Sequence, residues 1–195
     1  MKKSIWVIIA VVAVVVLWAI SANNKMVGQE ENVKKAWGQV ENVYQRRLDL
    51  IPNLVKTVQG AAEFEKGTLT DVIEARSKAS SVQLSADQLT EENIAAFQKA
   101  QDGLGSALSR LLVTVERYPE LKATESFRDL QTQLEGTENR ISVERKNFNE
   151  AVQSYNTLIR RFPNSLIAGI FGFEKKGYFT AAEGADKAPE VNFEF

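Results

Sequence analysis

The chain has 195 residues, 44% of them hydrophobic and 25% charged, with a formal net charge of −1. That length suits one domain plus an attachment, and the neutral balance argues against a nucleic-acid partner, which would need a net basic surface. The absence of cysteine and histidine removes disulfides, thiol catalysis, cysteine lipidation, zinc fingers, histidine–carboxylate metal sites and Ser–His triads.

The first element is an unbroken apolar run at residues 5–20, IWVIIAVVAVVVLWAI. As a helix it spans about 24 Å, and with Ser4, Ser21 and Ala22 it approaches the ~30 Å hydrocarbon core of a bilayer. Trp6 and Trp18 stand near its two ends, where interface-seeking indoles belong. A retained anchor at residues 1–22 is the favoured reading. The rival is a signal peptide cleaved at Ser21 or Ala22, for which the run is slightly long. Lys2 and Lys3 favour a cytoplasmic amino end with the remainder extracytoplasmic, although Lys25, Lys34 and Lys35 follow on the other side.

Residues 21–25 contain Asn23-Asn24 and read as a short hinge. A long amphipathic pattern then covers residues 27–82. In it Trp37, Val40, Tyr44, Arg47, Ile51, Val55 and Val58 alternate steps of three and four and line one helix face. Arg47 stands where an aliphatic residue is expected. Pro52 removes a backbone donor and crowds the Leu48 carbonyl, which predicts a kink or break near residues 50–52. Gly67-Thr68 is a second candidate break, with Thr68 and Asp71 as a cap. Residues 83–90 read as a loop.

The cleanest stripe comes next: Ile94, Phe97, Gln101, Leu104, Leu108, Leu111, Val115 and Tyr118. This heptad-like seam favours shallow-angle packing. Thr90 is its predicted N-cap and Pro119 its end. Thr124 then caps a last long helix whose face holds Phe127, Leu130, Leu134, Thr137, Ile141, Glu144, Phe148, Val152, Tyr155, Ile159 and Phe162, with Pro163 stopping it. The fold class is therefore all-α: one amino-terminal transmembrane helix, then an elongated antiparallel bundle of long helices, residues 23–163, expected as three rods. The tail, residues 164–195, is apolar and aromatic without clear helical spacing. Leu166, Ile167, Ile170, Phe171, Phe173, Tyr178 and Phe179 are too apolar to lie free in water. They suit the chain's own bundle, a neighbouring subunit or the bilayer.

No catalytic, cofactor-binding or metal-ligating set is recognisable. There is no P-loop, and Gly103-Leu-Gly105 lies within a helical pattern. Carboxylate pairs such as Glu138 with Glu144, or Glu63 with Glu65, need a pocket and raised pKa values to act as acid and base. Arg47, Thr137 and Glu144 are polar groups on apolar stripes. Either they sit at the bundle rim, or Arg47 meets Glu138 or Glu144 in a contact that sets helix register. Arg47, Pro52, Glu138 and Glu144, with Leu166, Ile170, Phe171, Phe173 and Phe179 of the tail, are the structural and interaction candidates.

Several motifs resemble the LemA family of bacterial membrane proteins. They are AW-x-QV from Ala36, QRR-x-DLIPNLV-x-TV from Gln45, TL-x-x-V-x-x-AR from Thr68, RLL at Arg110 and ERYPELKA from Glu116. F-x-x-LQ from Phe127, TENRI from Thr137 and YN-x-x-IR-x-FP from Tyr155 complete the set. The family's frequent opening YN-x-LV is replaced here by Asn24-Lys25-Met26-Val27. The resemblance implies a bacterial inner-membrane protein, and some members of the wider family are associated with shaping membranes. The leading expectation is a non-enzymatic, membrane-anchored scaffold that self-assembles as a homo-oligomer, without cofactor or small-molecule substrate. The alternatives are an adaptor or accessory subunit of another envelope protein, such as a membrane protease, and a hydrolase using carboxylates alone.

Overall fold

Every member of the first stripe, from Trp37 to Val58, is buried, and all of them belong to one helix, α1 (Lys2–Gln59). The computed structural model describes residues 2–60 and 65–181. After α1 come α2 (Lys66–Ser81), α3 (Glu91–Val115), α4 (Pro119–Lys122), α5 (Glu125–Arg160) and α6 (Asn164–Phe171), and no strand occurs among the described residues. At 1.5 Å per residue α1 is about 87 Å long. Its first part, residues 5–20, is long and apolar enough to cross a membrane and is exposed apart from Ala19, which packs against the core.

The hinge predicted at residues 21–25 is absent; this stretch is helical. Asn23 and Asn24 are poor helix formers, but Ala22 and Met26 are buried in the core on either side of them, and tertiary packing outweighs propensities of a few tenths of a kcal/mol. The apolar run and the bundle thus share one helix.

Pro52 lies inside α1 and does not break it. A proline leaves the carbonyl four residues back without its helical donor. Here that carbonyl, Leu48 O, accepts the Nε–H of Arg76 from α2 at 3.0 Å. The reversal comes instead after Gly60, and α2 begins at Lys66, not at the Thr68 cap that the sequence suggests. The predicted first rod is therefore two helices, and the bundle has four long members rather than three. Arg76→Met is expected to cost about 1–3 kcal/mol in the chain carrying Pro52. With Pro52→Ala the new N–H serves Leu48, and the same change should cost clearly less. A double-mutant cycle by chemical denaturation reads the difference; equal costs in both backgrounds would mean that the bond matters little.

Cross-contacts set the directions. Moving up α1 from Trp37 to Arg47, the partners on α3 run upward from Phe97 to Gln101. Those on α5 run downward from Phe148 to Glu138, and those on the α2 side downward from Leu84 to Arg76. α1 and α3 are thus parallel to each other and antiparallel to α2 and α5. The closest pairs are α1 with α5 and α2 with α3. The α3 stripe is buried from Ile94 to Val115, and Thr90 Oγ1 accepts Asn93 N–H at 3.2 Å as its cap. Thr124 caps α5 through Phe127 N–H.

Two predictions for the chain's end are corrected. Phe162 was placed on the buried α5 face, but α5 ends at Arg160, Arg161 turns to extended geometry, and Phe162 is 81% exposed. The tail does contain a helix, α6, closed by Gly172 in the left-handed region at φ 74°. Its weak signal follows from its length, two turns held by packing against α1 and α5. The alternation at residues 189–195 lies outside the described residues.

Candidate functional site

The described core divides into two apolar clusters. One runs from Ala22 and Met26 through Trp37, Tyr44, Phe97, Phe148 and Tyr155 to Ile167 and Phe179. The other runs from Leu48 through Ile51, Leu104 and Leu111 to Phe127 and Leu134. A polar layer separates them. Arg47 is 3% exposed, with Gln101 buried beside it; Thr137, next to Glu138 in sequence, is buried too. Its Nη1 donates to Glu138 Oε2 at 3.0 Å, and its Nη2 donates to the side-chain and backbone oxygens of Gln101 at 2.6 and 3.0 Å. The guanidinium also lies over the Tyr44 ring at 5.0 Å. Its Nε is buried with no hydrogen-bond partner among the described residues.

Glu138 is 62% exposed, so this is a buried cation reaching outward to a carboxylate at the rim. The second candidate partner, Glu144, instead accepts a bond from Asn147 Nδ2 at 3.0 Å. Glu63 lies outside the described residues, and Glu65 pairs with Arg117 at 3.1 Å. A layer of this kind suits helix register, because only one alignment of α1, α3 and α5 brings donor and acceptors together.

The tail candidates separate into two groups. Beyond α6 the chain turns back along α5 as an extended strap over residues 173–180. Three side-chain amides hold it, each binding one residue of the strap through both its oxygen and its nitrogen. Asn156 accepts Lys176 N–H at 3.0 Å and donates to Lys176 O at 2.9 Å. Asn149 does the same with Phe179, at 2.9 Å for both bonds. Gln98 of α3 does so with Thr180, at 3.1 and 3.0 Å. The amides thus supply the donors and acceptors that a neighbouring strand would supply.

Tyr155 donates to Glu174 O at 3.0 Å. Burial, with Glu30 and Glu174 nearby, pushes its hydroxyl up to about 12, so it remains a donor at neutral pH. Gly177 N–H donates to Leu89 O at 2.8 Å. A Cβ at Gly177 would meet the Glu91 and Thr90 backbone at 2.7–2.8 Å, so only glycine fits there. Phe179 enters the core and Phe173 is half-buried at its edge.

The other group stays outside. Leu166, Ile170 and Phe171 are exposed on α6, while Ile167 and Ala168 on its opposite side are buried. Phe162, two residues before α6, is exposed as well.

Sequence reasoning missed Gln98, Asn149, Asn156 and Arg76. The available signal was spacing: Asn149 and Asn156 are two helical turns apart, each following a core aromatic, Phe148 or Tyr155. No group of three or more Asp or Glu side chains poised for a metal occurs among the described residues. A groove of about 600 Å³ beside the α2–α3 connection is lined by Glu41, Tyr44, Arg76 and Gln101. Its arginine and glutamine are already engaged with Leu48 and Arg47.

The model of the LemA family matches residues 36–193. Magnetosome protein MamQ 2 of Paramagnetospirillum magneticum is 27% identical over 180 residues, covering 84% of this chain and 66% of that protein. Magnetosome protein MamQ of Magnetospirillum gryphiswaldense has the same identity and coverage. Protein LemA of Metamycoplasma hominis is 22% identical over 164 residues, 84% of this chain and 71% of that protein. The chain thus spans just under two thirds of the length of the MamQ relatives.

Proposed function

The chain belongs to the LemA family, and from that premise we propose that it is a membrane-anchored, non-enzymatic scaffold whose rod-like body is carried rigidly on its transmembrane helix. The observation that carries this reading is the continuity of α1. One helix leaves the bare apolar run at Ile20 and is already part of the bundle core at Ala22 and Met26. A flexible tether lets a domain tumble; a continuous helix packed on α5 and α6 holds the body's long axis to the membrane. That suits a protein that works by position and assembly. The names of the relatives, magnetosome protein and LemA, describe no reaction.

On this reading the protein lies in the bacterial inner membrane as a single-pass protein. Lys2 and Lys3 favour a cytoplasmic amino end, with the bundle extracytoplasmic. The units are the anchor, the bundle and a tail that is partly bundle, partly exposed surface. Homo-oligomerisation is the scaffold's mode of action; an adaptor for another envelope protein is the second reading, favoured by the exposed apolar residues Leu166, Ile170 and Phe171 of α6.

The full-length protein is expected to remain with membranes through an alkaline carbonate wash. Arginines at Ile9 and Val12 together should release it, since each costs about 2.5–3.5 kcal/mol at a span's centre. Retention of that variant would refute anchoring by residues 5–20. Deletion to residue 26 is a poorer test, because it also removes Ala22 and Met26 from the core. Native mass in mild detergent then separates a large homo-oligomer, the scaffold, from a monomer that copurifies with one other protein, the adaptor.

A further inference from the structure

We propose that α6 and Phe162 lie in the headgroup region of the bilayer that α1 crosses, as an interfacial foot that binds an anionic lipid surface. This rests on the reading of residues 5–20 as the span. The apolar run of α1 ends at Ile20, and α6 packs on α1. The buried side of α6, Ile167 and Ala168, joins the cluster that contains Ala22 and Met26, with Ala19 packed against it. At 1.5 Å per residue, Ala19 and Ala22 are within about 3 Å of the end of the run. α6 is therefore at the level where the hydrocarbon gives way to headgroups, as is Trp18.

The face that α6 turns away from the protein is apolar. Leu166 and Ile170 are one turn apart on it and Ile170 is 75% exposed; Phe171, next in α6, and Phe162, two residues before it, are exposed too. In water such a patch is unfavourable; in the interface its aliphatic and aromatic side chains take the place of lipid at shallow depth. Cations at the same end of the bundle agree with that placement. Lys25 and Arg161 line one shallow surface with Gln29, Gln153, Ser154, Thr157 and Leu158, without an acidic residue. Lys25, Arg160 and Arg161 form no ion pair with a carboxylate among the described residues. Three cations without an ion pair among the described residues, at the end of the bundle that carries α6, complement a phosphate-bearing surface.

The chain has no cysteine, so single labels are available in the full-length protein. Ile170→Cys, Leu166→Cys, Val113→Cys and Val12→Cys would each carry an environment-sensitive fluorophore, with the protein reconstituted in vesicles containing phosphatidylglycerol. Val113 is exposed on α3, in the half of the bundle far from the span. Labels at Ile170 and Leu166 are expected to be quenched by a spin label held shallow on the acyl chain. Their quenching by aqueous iodide should be severalfold weaker than at Val113. The Val12 label should respond to a deeper spin label. Replacing phosphatidylglycerol with phosphatidylcholine should reduce the shallow quenching at Ile170 and Leu166 severalfold; no change would overturn the role of the cations. Iodide quenching at Ile170 and Leu166 equal to that at Val113 overturns the foot alone. So does shielding from both quenchers, which would mean that protein, such as a second copy, covers α6. Iodide access to the Val12 label overturns the span and the foot together.

Discussion

Phe179→Ala is expected to destabilise the folded bundle by about 3–5 kcal/mol, the usual cost of deleting a fully packed aromatic side chain. Phe179 belongs to a segment that the sequence presents as a tail, yet its ring is within a cluster formed by three helices. It stacks on Trp37 at 6.2 Å and meets Phe148 at 5.5 Å and Phe97 at 6.3 Å. The Arg145 guanidinium covers its outer side at 4.8 Å. Removing the ring opens space beside Trp37, Phe97 and Phe148 at once, and those residues come from α1, α3 and α5. They cannot collapse into it together, because Asn149 fixes the Phe179 backbone and Gly177 seats the strap against Glu91. Phe162→Ala is the matched control, an aromatic truncation at an 81% exposed site, expected within about 0.5 kcal/mol of neutral for stability. Equilibrium unfolding of the full-length protein in mild detergent compares the two. Equal, small costs would mean that the strap is dispensable to the core.

Arg47→Ala is expected to cost about 3–5 kcal/mol. It removes a buried stem and leaves the Gln101 side-chain oxygen inside the bundle without its donor. The more informative result is how the loss divides between partners. Gln101 is 2% exposed and accepts at 2.6 Å, whereas the Glu138 side chain is 62% exposed and its charge is screened by water. Coupling of Arg47 with Gln101 should therefore exceed its coupling with Glu138, which should stay at about 0–1 kcal/mol, the range of exposed pairs. Double-mutant cycles with Gln101→Met and with Glu138→Gln measure both terms. A larger coupling to Glu138 would make the layer an ion pair with an incidental amide, the reverse of what the burial implies.

The polar layer and the strap answer a difficulty built into long helical rods. Stripes of similar apolar residues allow neighbouring helices to slide by a turn with little loss. At Arg47 a slide of one turn would bury a charge against aliphatic carbon, which is costly without a compensating partner. At Asn149 and Asn156 it would leave the strap's backbone groups unpaired. The layer sets α1, α3 and α5 against one another, and the strap fastens the carboxyl-terminal half of α5 to α3. Both favour a single rigid alignment of the helices.

Local sequence was enough to identify the helical class, the apolar run at residues 5–20, the buried faces of α1, α3 and α5, and the caps Thr90 and Thr124. These properties depend on residues within one or two turns of each other, so the linear chain displays them. The same local rules put a kink or break at Pro52 and the first inter-helix loop only at residues 83–90, whereas α1 ends at Gln59. Pro52 costs one backbone bond, and locally that argues for a break; Arg76, 28 residues away from Leu48 in sequence, restores the bond and lets α1 continue. They also suggested a hinge at Asn23-Asn24, where the burial of Ala22 and Met26 decides otherwise. Arg47 stood out as an anomaly, but its placement between two apolar cores depends on Gln101, 54 residues on, and Glu138, 91 residues on. The tail's composition marked it as a surface in need of cover. Only the tertiary structure divided it, with Phe179 drawn into the core by amides on α3 and α5 and Leu166, Ile170 and Phe171 left outside. A sequence shows directly which groups need a partner; which distant group becomes that partner is settled when the helices align.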